Sequence, residues 1–293
     1  MLISRATRLQ ANHRFESDTI ACLTQARLGT LEDLRLPYPA ELVATLLQEH
    51  TAVQSELQRL FLEAVQAGQS LTDGRAKEHM LQGAGRRLKV LRRCLANVFR
   101  LFPPSKATPL DSEDLDEVQI SLHAFVINLY GLFENLAWCF VLRHGLETEV
   151  GDRRRIGMFL KSTQQYLPSP LRSYLTSDTL LIWQNEYLKN YRDSLAHRIP
   201  LYIPPATYTP EQEQRYHTLD TSEWESIRLQ QWDRLEEIRR EKATLGSACP
   251  MFLHSYTDDG RARPVYLHPQ MLCDAKTVLE FCGLYFAHWH ERA

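Results

Sequence analysis

The stretch from Val118 to Gly145 constrains the fold more than any other. Val118, Leu122, Phe125, Val126, Leu129, Tyr130, Phe133, Leu136, Ala137 and Phe140 recur at three- and four-residue spacing and circle most of a helix. A helix that is apolar on nearly every side has to be surrounded by other helices. The acids Asp111, Glu113, Asp114, Asp116 and Glu117 precede it, where the positive end of the helix dipole favours them, and Gly145 is placed to cap its other end. Ser105 to Glu117, with Pro109, reads as a linker into this helix. The longest unbroken apolar run, Leu136 to Leu142, is seven residues. A membrane span needs roughly 20, so residence in a bilayer is not expected.

The flanking segments supply partners for that helix. From Tyr38 the residues Leu42, Val43, Leu46, Leu47, Val53, Leu57, Leu60 and Phe61 repeat at helical spacing, with Pro39 near the first turn and Gly68 after the last. A second helix is predicted from Arg75 to Leu101, ended by Phe102-Pro103-Pro104. It carries Arg75, Lys77, Arg86, Arg87, Lys89, Arg92, Arg93 and Arg100 against the single acid Glu78, a solvated face by default and an RNA-attracting one otherwise. Beyond Gly145 come the consecutive Arg153, Arg154 and Arg155, a short helix from Ile156 to Tyr166, and a possible turn over Leu171 to Leu175. Another helix runs from about Thr179 through Trp183, Tyr187 and Tyr191 to His197, stopped by Pro200. Leu201 to Pro205 reads as an extended wrap, and Ser222 with Glu225 as a capping box opening a helix to about Lys242. Cys249 to Tyr256 and Arg263 to His268 flank Asp259-Gly260, a hairpin signal, and Met271 to His290 closes the chain as a helix. The expected fold is mainly α: a helical bundle with a small C-terminal β-hairpin. N-terminal helices (1–104) pack on a helical core (105–205), followed by a charged helix, hairpin and closing helix (206–293); the alternative is that all three segments form one domain.

Composition sets limits on partners. A formal net charge of −2 gives the chain as a whole no pull toward nucleic acid or anionic lipid, so any basic site must be local. The cysteines Cys22, Cys94, Cys139, Cys249, Cys273 and Cys282 form no C-x-x-C pair, which fits thiols in a reducing compartment. Met1 to Phe15 interleaves Arg5, Arg8 and Arg14 with apolar residues and has no signal-peptide core, so a cytoplasmic location is expected. Neither a P-loop, a G-x-G-x-x-G turn nor a G-x-S-x-G elbow occurs, which leaves nucleotide hydrolysis, dinucleotide binding and hydrolase-type acyl transfer without support. Cys249 and His254 would point to opposite faces of a strand, so a shared metal is disfavoured; no metal and no cofactor is expected.

One constellation could do chemistry. In Arg192-Asp193-Ser194-Leu195-Ala196-His197 the carboxylate and imidazole lie four apart, neighbours on a helix surface, so Asp193 can orient and support a protonated His197. Arg192 offers a permanently charged fork of donors that fits phosphate oxygens. RNA brings its own nucleophile, the 2′-hydroxyl, which attacks the adjacent phosphate once a base takes its proton. Arg-x-x-x-x-His also occurs at Arg8 to His13 and Arg263 to His268, but only Arg192 is followed by a polar residue. A helix-closing ion pair is the competing reading of this trio.

Arg, a polar residue, three more residues and His near the end of a helix in an all-helical chain resembles the HEPN superfamily of bacterial and archaeal ribonucleases. Residues Asn128 to Trp138 and Arg192 to Pro205 carry most of the likeness, which covers roughly Val118 to Pro205. The resemblance implies a metal-independent endoribonuclease in which Arg192 binds phosphate, His197 is general acid or base, and Asp193 belongs to the motif. It further implies a homodimer with two motifs in one cleft, RNA as substrate, and toxin–antitoxin or antiphage roles with an antitoxin or regulatory partner. Glu134 and Asn135, polar groups within the most apolar helix, are candidate substrate contacts, and Arg153, Arg154 and Arg155 candidate phosphate contacts. The alternative from a different class is a non-catalytic helical protein-interaction module, which expects Arg192 and His197 paired with each other or buried.

Overall fold

The structure is a computed structural model, described over residues 38–255 and 262–291. Residues 1–37, with the Arg5 to Arg14 segment, Cys22 and the Arg8 to His13 match, lie outside the described residues, as do the expected turn at Thr257 to Gly260 and residues 292–293.

Helix α1 (Ala40–Gln69) follows Pro39 and buries Leu46, Val53, Leu57, Leu60 and Ala64 along one stripe. Gly68 does not end it as expected. It lies inside the helix, where a Cβ would stand 2.4 Å from Leu81 Cδ2, so the next helix can approach closely. Helix α2 (Gly74–Glu78) opens where the Asp73 carboxylate accepts the Ala76 N–H at 2.7 Å. The chain stays helical to Leu101, but through a wide π turn, His79–Gly85, before α3 (Arg86–Leu101).

Helix α4 (Ser112–Arg143) is the central rod. Asp111 caps it by accepting the Asp114 N–H, so half of the expected linker is already helix. Gly145 ends it in the left-handed region at φ 63, with Leu146 N–H donating to Val141 O and Gly145 N–H to Leu142 O. By length and composition alone α4 could cross a membrane; most of its apolar window is buried against the rest of the chain. It packs on α3, on the π turn and on the motif helix.

The middle of the chain is broken into short pieces: α5 (Glu147–Val150), a 3-10 turn at Arg153–Arg155, α6 (Lys161–Gln164), α7 (Ser169–Leu175), α8 (Asp178–Ile182), a second π stretch (Trp183–Leu188), and α9 (Lys189–His197). The expected helix from Ile156 to Tyr166 shrinks to α6. Thr163 Oγ1 accepts the Gly157 N–H and Gln164 Nε2 donates to Met158 O, so side chains take backbone groups a helix would have used.

The expected helix start at Ser222 is also corrected. Ser222 sits inside α10 (Pro210–Arg228), donating back to Thr218 O, and the capping box is Thr209 with Gln212. Gln230, at φ 54, turns the chain into α11 (Trp232–Ala243), so the charged stretch forms a helical hairpin. Strands β1 (Met251–Ser255) and β2 (Ala262–Tyr266) pair antiparallel, Met251 opposite Tyr266, as the hairpin signal predicts. Helix α12 (Leu267–Glu291) then returns across α1, α3 and α7. The molecule is mainly α with one small β-hairpin, and one contiguous hydrophobic core runs from Tyr38 to Trp289 through all three expected segments. Among the described residues every cysteine is free and buried.

Candidate active site

The motif helix is seated by a buried carboxylate. Asp274 of α12 accepts from Trp183 Nε1 at 2.9 Å, Tyr187 Oη at 2.6 Å and Gln270 Nε2 at 2.8 Å. Two of those donors belong to the π stretch that feeds directly into α9. The Tyr187 and Tyr191 rings lie 4.2 Å apart, tilted by 52°, and Tyr191 meets Phe252 edge-on. Leu188, Tyr191 and Ser194 form the buried side of this segment. After α9 the chain extends, as expected: His123 Nε2 pairs with Leu201 O at 2.7 Å, Gln119 Oε1 accepts the Ile203 N–H, and Tyr202 bridges Leu253. Residues 192 to 203 therefore run antiparallel to α4, from the level of Tyr130 down to that of Gln119.

Arg192 lies over Tyr130, its guanidinium carbon 4.2 Å from the ring centre, and its Nη1 pairs with Asp193 Oδ1 at 3.0 Å. Both side chains keep 28% of their surface exposed. Among the described residues the buried Nε of Arg192 has no acceptor. Neighbours at i and i+1 diverge around a helix, so this ion pair is poorly aimed, and a partly exposed pair of this kind is worth about 1 kcal/mol at most. Arg192 can exchange it for a phosphate at little cost. Glu134 completes this side: burial pushes its carboxyl pKa up, while nearby Arg192 pulls it part of the way back.

His197 is the last residue of α9 and is exposed. It makes no hydrogen bond or ion pair with Asp193, which has turned to Arg192 instead. The adjacent guanidinium, always ionised, takes the carboxylate. The orienting role expected for Asp193 is thus not exercised in this structure.

The other sequence candidates separate. Glu134 faces Arg192, but Asn135 turns to a different flank of α4, where its Oδ1 accepts Arg87 Nε at 2.7 Å and its Nδ2 lies 3.3 Å from His79 Nδ1. Arg153 to Arg155 form an exposed turn capped by Asp152. Two residues on, a Cβ at Gly157 would stand 3.3 Å from Glu134 Oε1, so the basic turn adjoins the Glu134 and Arg192 side. Tyr130 and Arg87 were not singled out by the sequence. The signal for Tyr130 was its place one helical turn before Glu134; for Arg87 it was Gly131, a glycine within an otherwise bulky apolar helix.

Among the described residues no three His, Cys, Asp or Glu side chains gather as a metal site. No family model, no curated protein and no solved structure matches the chain significantly. The chemistry of the site rests on its own geometry.

Proposed function

We propose that the chain is a metal-independent endoribonuclease of HEPN type. The observation that carries this reading is the Arg192 guanidinium, seated on Tyr130 beside a partly buried carboxyl and, among the described residues, ion-paired only with its sequence neighbour, five residues before an exposed imidazole that has no partner among those residues. His197 takes the proton of an RNA 2′-hydroxyl; the oxygen attacks the adjacent phosphorus; the 5′-oxygen leaves with a proton, yielding a 2′,3′-cyclic phosphate. Arg192 holds the non-bridging oxygens as charge builds on them. One imidazole cannot readily remove and deliver a proton in the same step, so His197 of a second copy in a homodimer supplies the leaving-group proton. Arg153 to Arg155 extend the positive surface on the Glu134 side.

The interaction-module reading requires Arg192 and His197 to be paired with each other or buried; Arg192 pairs with Asp193, and His197 is exposed. The test is cleavage of mixed RNA in EDTA. His197→Ala and Arg192→Ala are each expected to lower the rate by about 100- to 10,000-fold, the usual range for acid–base groups and oriented charge. A His197→Ala protein that cuts as fast as its parent overturns the proposal.

A further inference from the structure

Arg87 is the least ordinary cation among the described residues. It extends from α3 onto α4, where Asn135 Oδ1 accepts its Nε at 2.7 Å and Asn128 Oδ1 accepts its Nη1 at 3.1 Å. Asn128 is itself held by the Ala124 carbonyl at 2.7 Å, and Asn135 by His79, whose ring stacks on Trp138. The guanidinium rests on Gly131, where a Cβ would stand 2.4 Å from its central carbon. Among the described residues no carboxylate pairs with it. Burial pushes its pKa down, yet an arginine stays ionised. A half-buried positive charge is therefore aimed by two neutral amide oxygens, with its second amino group, Nη2, left free and nothing neutralising it.

Gly131 and Tyr130 are consecutive on α4, about 100° apart around it, so Arg87 and Arg192 touch the same rod at adjacent residues from two different flanks. Between them runs the accessible ridge of α4, with Ile120 and Ile127 exposed and Gly131 and Glu134 partly so. We infer that Arg87, fixed by Asn128 and Asn135, is a second phosphate-binding group, so that single-stranded RNA crossing the α4 ridge is held at one phosphate by Arg192 and at another by Arg87. This rests on the ribonuclease reading and gives it a substrate path. A guanidinium whose charge is not already spent on a carboxylate gains most from phosphate, and one pinned in advance loses little freedom on binding.

The test is binding of a single-stranded RNA oligonucleotide to the full chain by fluorescence anisotropy across a salt series. The His197→Ala background keeps the ligand intact. Arg87→Gln is expected to raise Kd by about tenfold and to flatten the slope of log K against log salt by about 0.7, one phosphate contact on a single strand. Gly131→Ala keeps every charge but displaces the guanidinium, and alanine favours the helix; it should weaken binding similarly while melting no lower than the parent. Arg100→Gln, on the same helix but exposed near its end, should change affinity far less. If the parent binds RNA and both Arg87→Gln and Gly131→Ala bind as it does, the assignment of Arg87 is overturned and the nuclease reading stands. If the parent binds no RNA, both fall.

Discussion

At the scale of single residues, His268 shows how burial makes a side chain a pH-dependent liability. It has no exposed surface, its ring is faced by Tyr38, Phe99 and Phe102, and its nitrogens meet the Tyr38 hydroxyl and the Phe102 carbonyl. Burial drives its pKa down to about 4, against the pull of the Phe102 carbonyl and with some help from His50. The folded pKa lies below the unfolded one of about 6.5, so acid favours the unfolded chain. The stability that neutral His268 contributes is complete above about pH 6.5 and falls progressively toward pH 4, a loss of about 3 kcal/mol. Urea unfolding at pH 7, 5.5 and 4 should show this loss in the parent, on top of the carboxylate contribution. A His268→Gln chain should lack that part of the pH dependence, and parallel stability curves for the two proteins would refute the assignment. Arg87 shows the opposite use of partial burial: its guanidinium is intrinsically ionised, and two amide oxygens accept from it while one edge stays open.

At the scale of elements, the motif helix is too short to hold its own position. Nine residues, Lys189–His197, fall below the length at which an isolated helix is stable in water. Its register comes from the π stretch behind it, and that stretch is fastened by Asp274 through Trp183 and Tyr187. Asp274→Leu would leave the indole N–H and the phenol O–H buried without acceptors, a cost of about 3 kcal/mol. It would also loosen α9. The expected outcome is a lower melting temperature together with a fall in RNA cleavage of about tenfold or more, although Arg192 and His197 are unchanged. Asp274→Asn, which keeps one acceptor oxygen, should recover part of both. Full cleavage by a folded Asp274→Leu chain would show that α9 is placed without the π stretch.

At the scale of the whole molecule, the α10 and α11 hairpin stands apart from the bundle. Its buried side chains Leu219, Leu235 and Ile238 lie outside the main core, and its two helices are tied to each other by Arg215–Glu241, Arg239–Glu223 and Lys242–Asp220 ion pairs. Its neck is a reciprocal pair of backbone bonds between Thr207 and Ser247, both 2.9 Å. Chain ends brought together in this way tolerate excision, because little core crosses the boundary. Replacing residues 208–246 by a short Gly-Ser linker should leave the melting temperature of the body within about 4 °C of the parent. RNA cleavage should be retained. Collapse of the body on excision would mean that the hairpin belongs to the same cooperative unit.

The amino-acid pattern by itself determined the mainly helical class, the long central helices and the pairing of two strands, because helical spacing and Asp caps act over a few neighbouring residues. It also placed Arg192 and His197 at the end of one helix from about Thr179, stopped before Pro200, which the structure divides into α8, a π stretch and α9. It misplaced the start at Ser222, since a capping-box spelling can occur inside a helix whose true cap, Thr209, lies thirteen residues earlier. Only the tertiary structure decided that Asp193 serves Arg192, that Glu134 and Asn135 meet different partners on different flanks of α4, and that Arg87 arrives against Gly131. Those outcomes depend on two π turns and on how the helices cross, and contacts between residues 41 or 48 positions apart leave no periodic trace in the chain.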